Sequence, residues 1–216
     1  MVPQPATSKG AATREAILDR AYMIAASAGL EGLSIGPLAD AVDMSKSGVF
    51  AHFGSREELQ LAVLDLAADR FGEHTLLPAL TYPRGLPRLR ALLANWLDWL
   101  RRDRGGCLVL TAASEYDDRP GPLRDRMIHH HLRLRQMLAR AVHMAVETGE
   151  LRPDLDPDQA AFELSTIALS VQHDMAISDL DSAMQRGQRM LEHLLDYYAP
   201  RTVAQTVPQT AAARGA

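Results

Sequence analysis

The sequence predicts an all-α fold in which an N-terminal three-helix domain is joined by a connecting helix to a larger helical domain. Three helix starts fall between Ser34 and Glu58, and apolar residues elsewhere recur at steps of three and four. No alternation of strands with helices follows the first domain, which argues against an α/β fold. The predicted segments are a disordered arm at 1–10, the three-helix domain at 11–56, the larger domain at 57–199 and a disordered tail at 200–216.

Length and composition are those of an ordinary globular protein. The chain has 216 residues, of which 47% are hydrophobic and 23% charged. Its single cysteine, Cys107, excludes an internal disulfide, and residues 1–10 lack the apolar segment of a secretory signal. No uncharged apolar run approaches the roughly 18 residues of a membrane helix. We therefore expect a cytoplasmic protein that does not enter a membrane.

The arm at 1–10 has no apolar periodicity, and the first helix follows it. Thr13 can cap this helix, in which Ile17 and Ala21 recur on one side, and Gly29 is placed just after its end. The helix is predicted to pack behind the stretch that comes next.

The stretch from Ser34 to Glu58 predicts two short helices joined by a tight turn. Ser34 can cap the first helix, which runs to Val42, because its hydroxyl can accept a hydrogen bond from an amide of the first turn. Asp43 and Met44 form the turn. Two helices that cross at a short turn are typical of a helix-turn-helix, whose second helix enters the DNA major groove.

The second helix of this pair has two different faces. Ser45 caps it, and Val49 and Phe53 lie four residues apart, so both point to one face, which is predicted to be core. The opposite face carries Lys46, Ser47, Phe50, Ala51 and His52. Gly54 ends the helix, and Ser55 begins a capping box that starts the connecting helix.

From Thr13 to Leu59 the chain resembles the DNA-binding domain of TetR-type (tetracycline-repressor-like) transcriptional regulators. The likeness lies in the opening TREAILDRA and the close MSKSGVFAHFGSREEL, and beyond them only in a general all-helical plan. It implies a homodimer that binds a double-stranded DNA operator, with Lys9 or Arg14 as candidates for the minor groove. The positions it assigns to phosphate or base contact are Ser34, Ser45, Lys46, Ser47, Phe50, His52 and Arg56.

Two positions depart from the usual pattern of this family. Gly48 stands where many members have threonine, and Phe50 where tyrosine is usual, so a hydroxyl contact is lost at each. Ala51 can still touch a thymine methyl, but few groups remain for direct base readout. Specificity is therefore expected to rest partly on DNA shape.

Two alternatives remain open for the N-terminal domain. A pair of capped short helices can be a packed corner, and residues 1–60 carry five Lys and Arg against seven Asp and Glu, whereas DNA-binding domains are more often basic. The segment from Gly32 to Gly36 also matches G-x-S-x-G, the nucleophile elbow of α/β-hydrolases. That elbow needs a strand before its serine, here Ser34, and the sequence predicts a helix instead.

The larger domain continues as a series of helices. The connecting helix starts at Ser55, and a wide apolar stripe follows over 86–100. The run 107–114 is ambiguous between a strand and a buried helix, and its helical context favours a helix. A final helix over 181–198 is predicted to bury Met190, and the tail after it lacks a core pattern.

Two long helices, near 122–148 and 157–177, carry more apolar surface than one subunit is expected to bury. The first has two apolar stripes, and the second has no Asp, Glu, Lys or Arg between Leu164 and His173. We therefore expect a two-fold dimer in which these helices from each subunit form a four-helix interface.

The resemblance implies that the larger domain also binds a small-molecule effector. Two tryptophans and a Met-rich body favour a largely apolar pocket with few polar anchors, although both tryptophans also fit a core role. The candidate lining residues are Trp96, Trp99, Leu100, Thr111, Met127, Met137, Phe162, Gln172 and His173. We expect no cofactor and no metal, because His129, His130 and His131 point about 100° apart on a helix. That histidine run is expected to be solvated or to lie at an interface.

Together these features predict a homodimeric, ligand-responsive transcriptional regulator, most simply a repressor released from a near-palindromic operator by a small apolar ligand. A DNA-binding regulator without an effector would share every motif. An all-helical enzyme is the remaining alternative, and the sequence offers no convergent catalytic groups for it.

Overall fold

A computed structural model describes residues 9–102 and 107–200, and within these ranges the secondary structure is entirely helical. The all-α prediction is therefore confirmed. The helices of the described residues are α1 (Lys9–Gly32), α2 (Ile35–Ala41), α3 (Lys46–Phe53), α4 (Arg56–Ala79), α5 (Leu86–Arg102), α6 (Leu108–Tyr116), α7 (Pro122–Glu147), α8 (Pro157–Ile177) and α9 (Leu180–Tyr198). Residues 1–8 of the predicted arm and residues 201–216 of the predicted tail lie outside the described residues.

The first helix begins earlier than its predicted cap. α1 starts at Lys9, so Lys9 and Gly10, which were assigned to the disordered arm, are helical. The hydroxyl of Thr13 donates to the carbonyl O of Lys9 at 2.9 Å. A threonine inside a helix can satisfy its hydroxyl one turn back in this way, and Thr13 therefore does not mark the helix start.

Serine side chains begin two of the next three helices as predicted. The hydroxyl of Ser45 accepts a hydrogen bond from the amide of Gly48 at 3.1 Å, and that of Ser55 accepts one from the amide of Glu58 at 3.0 Å. Ser34 has the extended backbone of an N-cap, but its hydroxyl makes no capping bond. The prediction of a side-chain cap was therefore right for α3 and α4 and wrong for α2.

The N-terminal helices share one small core with the start of α4. The side chains that form it are buried to 7% exposure or less, namely Ile17, Ala21, Leu30, Leu33, Leu38, Val49, Phe53 and Leu59. The guanidinium of Arg14 stacks over the ring of Phe53 at 4.7 Å, which ties α1 to α3. Because α1 also packs on α4 and α6, this core holds α3 in a set position relative to the larger domain.

The larger domain packs around α7. The ambiguous run after Cys107 is the helix α6, as its context favoured. α7 contacts α4, α5, α6 and α8 of its own subunit, so both of its apolar stripes are buried or partly buried except at Leu132, which is 51% exposed. No helix of the described residues combines the length and the apolar character that a bilayer span demands.

An uncovered apolar surface, with five of the eleven exposed large apolar side chains of the described residues, lies on α8 and α9. Its large side chains are 41% to 73% exposed, namely Phe162, Leu169, Ile177, Met190 and Tyr197. The sequence placed this excess on 122–148 and 157–177 and predicted Met190 to be buried. The first prediction holds for 157–177, which is α8, and needs correction for 122–148, because α7 contacts four helices of its own subunit. Met190 on α9 is exposed rather than buried in the subunit.

Candidate DNA-reading surface and effector cavity

The helix-turn-helix is formed by α2, α3 and the residues between them. Asp43 adopts a positive φ of 52°, a conformation that aspartate tolerates better than most residues, and the amide of Met44 donates to the carbonyl O of Ala39 at 3.0 Å. Gly54, with a φ of 76°, then ends α3. The turn between α2 and α3 and the C-terminal end of α3 both lie where the sequence predicted them.

α3 presents one polar face outward and one apolar face inward. The outward residues are exposed or half-buried, namely Lys46, Ser47, Phe50, Ala51 and His52. Val49 and Phe53 are 0% and 7% exposed, which confirms the predicted core face. α3 contains no acidic residue. A cation, a hydroxyl and exposed apolar groups on an acid-free helix face are chemically suited to phosphates and base edges.

Ser45 and Ser47, at the start of α3, are hydrogen-bonded to each other. Their hydroxyl oxygens lie 3.1 Å apart, and that of Ser45 also caps the helix. The side chain of Lys46 runs along the first turn of α2, because a Cβ built on Gly36 would lie 3.4 Å from Cε of Lys46. Of these three predicted contact residues, Lys46 and Ser47 therefore keep an exposed polar group that can contact DNA, whereas the hydroxyl of Ser45 mainly caps α3.

Arg56, another predicted DNA contact, is bound to the protein itself. Its Nε donates to the carbonyl O of Leu33 at 2.8 Å, and its Nη2 donates to the carbonyl O of Glu31 at 2.5 Å. The Glu31 carboxylate also lies 3.3 Å from Nη2. These bonds hold the loop that leads from α1 into α2. Nη1 has no partner among the described residues and remains available to a phosphate.

A polar cluster between the two domains was not predicted. The hydroxyl of Tyr116 donates to the carboxylate of Glu31 at 2.8 Å, and Glu115 accepts from the amide of Glu31 at 3.0 Å. The bond from Tyr116 holds the pKa of Glu31 below its usual 4.5, while burial and the same bond raise the pKa of Tyr116 above its ordinary range. The C-terminal ends of α1 and α6 are joined by this cluster. No local sequence pattern marks it, because its members are about eighty positions apart.

A cavity of about 640 Å³ lies between α4, α6 and α7, and we name it the α6 chamber. Its volume is within the range of sites that hold small molecules. The apolar part of its wall includes Phe71, Leu76, Val109, Leu110, Leu134 and Met137. Its polar part consists of Asp69 and Glu73 on α4 and of His130, Arg133 and Arg140 on α7.

The predicted effector residues are mostly elsewhere. Only Met137 lines the α6 chamber. Trp96 and Trp99 are 2% and 8% exposed and pack edge-on against Phe71, with ring centroids 5.4 and 6.4 Å away, so they form the layer behind the chamber wall.

The other six predicted residues fill the core, bond to each other or face outward. Leu100 and Met127 are buried, and Gln172 donates to Thr111 at 3.1 Å. Phe162 is 49% exposed and His173 is exposed. These eight residues therefore do not line the α6 chamber, and their contact with an effector stays a prediction. Periodicity identified Trp96, Leu100 and Met127 as inward-facing, but it could not show which inward faces leave a space between them.

A second unpredicted contact fastens α4 to α7 beside the α6 chamber. Asp65 on α4 accepts hydrogen bonds from Arg126 and, at 2.8 Å, from Nε2 of His130. Nε2 of His131 bonds to the carbonyl O of Val109 at 3.0 Å. Burial lowers the pKa of both histidines below 6.5 and outweighs the opposite effect of Asp65 on His130. Only His129 of the run is exposed, so the expectation of a solvated or interface run is wrong for the other two.

Comparison with known protein families shows which family this chain matches. The sequence matches the family model of bacterial regulatory proteins of the tetR family over residues 17–63 and that of the tetracyclin repressor-like C-terminal domain over residues 85–191. The chain belongs to the TetR family. This TetR-family protein is a DNA-binding transcriptional regulator and not an enzyme. The nucleophile-elbow interpretation also fails on geometry, because Ser34 joins two helices and no strand precedes it in the described residues.

Solved structures of TetR-family regulators share the whole fold. One from Chloroflexus aurantiacus is 26% identical, with a TM-score of 0.79 over 88% of this chain and 95% of its own. One from Cytophaga hutchinsonii is 19% identical, with a TM-score of 0.79 over 91% and 99%. AibR, solved in complex with isovaleryl coenzyme A and operator DNA, is 20% identical, with a TM-score of 0.65 over 88% and 100%. No match was found among curated proteins.

Proposed function

We propose that the protein is a homodimeric repressor that binds a near-palindromic operator and is released from it by a small, largely apolar ligand. The main support for this proposal is the position of α4, which lies against both α3 and the α6 chamber. This helix is capped beside α3 at Ser55, and from Ala68 to Leu77 it forms one wall of the α6 chamber. One continuous helix thus connects a DNA-reading surface to a space that suits a ligand.

Release of the operator depends on an equilibrium between two positions of α4, one that DNA binding requires and one that ligand binding favours. A ligand shifts such an equilibrium only if it binds the non-operator conformation more tightly. A molecule in the α6 chamber touches α4 and also His130, which holds α4 through Asp65. Its presence therefore favours a position of α4, and hence of α3, that differs from the one DNA requires. AibR, which has the same fold, is a precedent for a regulator that takes both a small molecule and an operator.

The uncovered apolar surface of α8 and α9 is the proposed dimer interface. Large apolar groups recur along α8 at Phe162, Leu169 and Ile177, and along α9 at Met190 and Tyr197. A second copy of the same surface is their natural partner under two-fold symmetry. The dimer places its two α3 helices about one DNA turn apart, roughly 34–36 Å, which makes the operator a near-palindrome.

Selection of bound DNA from a random library tests the DNA-binding part of the proposal. We expect a near-palindromic site whose affinity falls steeply with salt. Lys46→Ala should lower the affinity and reduce the salt slope by about 2, because one phosphate contact is lost in each subunit of the dimer. Arg20→Ala removes an exposed cation from α1 and should leave both unchanged. Failure of an intact dimer to enrich any site at low salt would contradict the proposal.

A reporter gene tests the sign of regulation. A promoter that overlaps the selected site should be silenced when the protein is produced, because the bound dimer occupies the DNA that the polymerase needs. An increase in expression would show an activator instead.

A further inference from the structure

A second cavity adjoins the α6 chamber and extends it along α4. It lies between α4, α5 and α7, has a volume of about 430 Å³, and is named the α5 chamber. Leu76, Met137 and Arg140 belong to the walls of both chambers. A single elongated molecule can therefore occupy the two chambers together, with α4 on one side along its whole length.

The α5 chamber carries an excess of positive charge. Arg84, Arg88 and Arg140 lie in its wall, and Glu147 is the one acid among the described lining residues. Glu147 is already paired, because its carboxylate bonds to Arg84 and lies 3.3 Å from Nε2 of His143.

Arg88 and Arg140 have no carboxylate partner. Nε and Nη2 of Arg88 donate to the carbonyl O of Tyr82 at 3.2 and 3.0 Å, and a carbonyl does not cancel the charge. Arg140 is exposed and makes no hydrogen bond or ion pair within the part of the chain that the structure describes. Two arginines without a carboxylate partner thus lie in the wall of a largely apolar space, an arrangement that favours a bound anion.

The α6 chamber differs from its neighbour in charge. Asp69 and Glu73 on α4 lie in the same wall as Arg133 on α7, and Arg140 lies where the two chambers meet, so the α6 chamber carries no excess of positive charge. An anionic group near the two carboxylates would be repelled, whereas an uncharged apolar body would not be. The two chambers therefore favour different ends of one ligand.

We propose that the effector is an amphipathic anion, with its apolar body in the α6 chamber and a carboxylate or phosphate group between Arg88 and Arg140 in the α5 chamber. This inference rests on the proposed function, because it names the chemical class of the ligand that releases the operator. It also specifies how the ligand is oriented in the two chambers. The anion binds α5 and α7, and the body pushes against α4.

A matched pair of fluorescent probes tests the preference for an anion. 1-Anilinonaphthalene-8-sulfonate carries a sulfonate, and N-phenyl-1-naphthylamine has the same aromatic skeleton without it. We expect the anionic probe to bind the intact dimer roughly tenfold more tightly than the neutral one, as one or two charge-assisted bonds imply. Equal affinity of the two probes would overturn the inference.

Substitutions locate the anion. Arg140→Gln and Arg88→Gln should each weaken the anionic probe by roughly tenfold and leave the neutral probe unchanged. Arg140→Gln removes a side chain that bonds to nothing in the described residues, so it remains informative even if Arg88→Gln does not fold. Arg20→Gln, which removes an equal charge far along α1, is the control. A loss for Arg20→Gln as large as that for Arg140→Gln would contradict the site.

Displacement of the neutral probe then identifies the anion and separates the two proposals. Decanoate, decyl phosphate and decanol have the same chain and differ in the head group. Displacement by either anion at concentrations where decanol is inactive supports the inference and shows which head group fits, whereas equal displacement by decanol overturns it. Anion binding that leaves the affinity for a selected operator unchanged would refute the effector role while the binding site stands.

Discussion

Arg56 shows how a single side chain in this protein can serve both fold and function. Its Nε and Nη2 hold the carbonyl groups of Leu33 and Glu31, whereas its Nη1 is unoccupied in the described residues. The family resemblance assigns this arginine to the DNA. The structure adds that it fixes the entry to α2, so its substitution acts on stability as well as on binding.

Arg56→Lys separates these two roles. Lysine keeps the charge but loses the planar fork, so we expect the free energy of unfolding to fall by about 1 kcal/mol while the salt slope of operator binding stays the same. Urea unfolding and DNA titration at two salt concentrations measure the two effects. Arg20→Lys is the control and should change neither. Unchanged stability with weaker operator binding would mean that Arg56 serves only the DNA.

At the scale of elements, α4 is the helix that contacts both halves of the molecule. It begins with the cap on Ser55, is fastened to α7 through Asp65 and then lines both chambers. The bonds from His130 and Arg126 to Asp65 lie between the end of α4 beside α3 and the part that lines the two chambers.

Acid should weaken the packing of α7 against its neighbours. Because burial holds the pKa of His130 and His131 below 6.5, the unfolded chain takes up protons first as the pH falls. The free energy of unfolding should therefore decrease below about pH 6.5, by at most about 1.4 kcal/mol per pH unit for each histidine, and level off below the folded-state pKa.

Urea midpoints at about pH 7.5 and 5.5 measure this effect, in a window above the range in which carboxylates such as Glu31 take up protons. His130→Gln and His131→Gln should each remove part of the pH dependence. His143→Gln, at an exposed position on the same helix, should not. An identical pH dependence in all three variants would contradict the assignment.

At the scale of the whole molecule, the described residues form a layered helical body with an uncovered apolar surface on α8 and α9. Inside the subunit α7 is enclosed by four helices, while α8 and α9 keep an outward apolar surface. Two copies joined there would present two α3 helices to one face of the DNA. The affinity for an operator then depends on both half-sites being bound together.

Charged substitutions on three helices distinguish the possible interfaces. Leu169→Glu on α8 should give a monomer in analytical ultracentrifugation and lower operator affinity at least roughly tenfold, because the two half-sites are no longer linked. The fold should survive, since Leu169 is 44% exposed in the subunit. Met23→Glu, 59% exposed on α1, should remain a dimer. If Leu132→Glu on α7 dissociates the dimer as well as Leu169→Glu, the interface predicted from the sequence, which used α7 together with α8, is correct.

Local chemistry in the sequence determined the fold class and the reading end of the molecule. Ser45, Gly54 and Ser55 specify where short helices start and stop, and the spacing of Val49 and Phe53 specifies which face of α3 is core. Each of these signals acts over one or two helical turns, so it can be read without knowing the rest of the structure.

Only the tertiary structure decided which inward faces touch and which leave a space. Trp96 and Met137 are both apolar residues on helices of the larger domain, yet one fills the core and the other lines both chambers. The bond between Glu31 and Tyr116 likewise joins residues far apart in the chain. Helix periodicity gives the direction of a side chain but not the distance to the next helix, and cavities and long-range polar contacts depend on that distance.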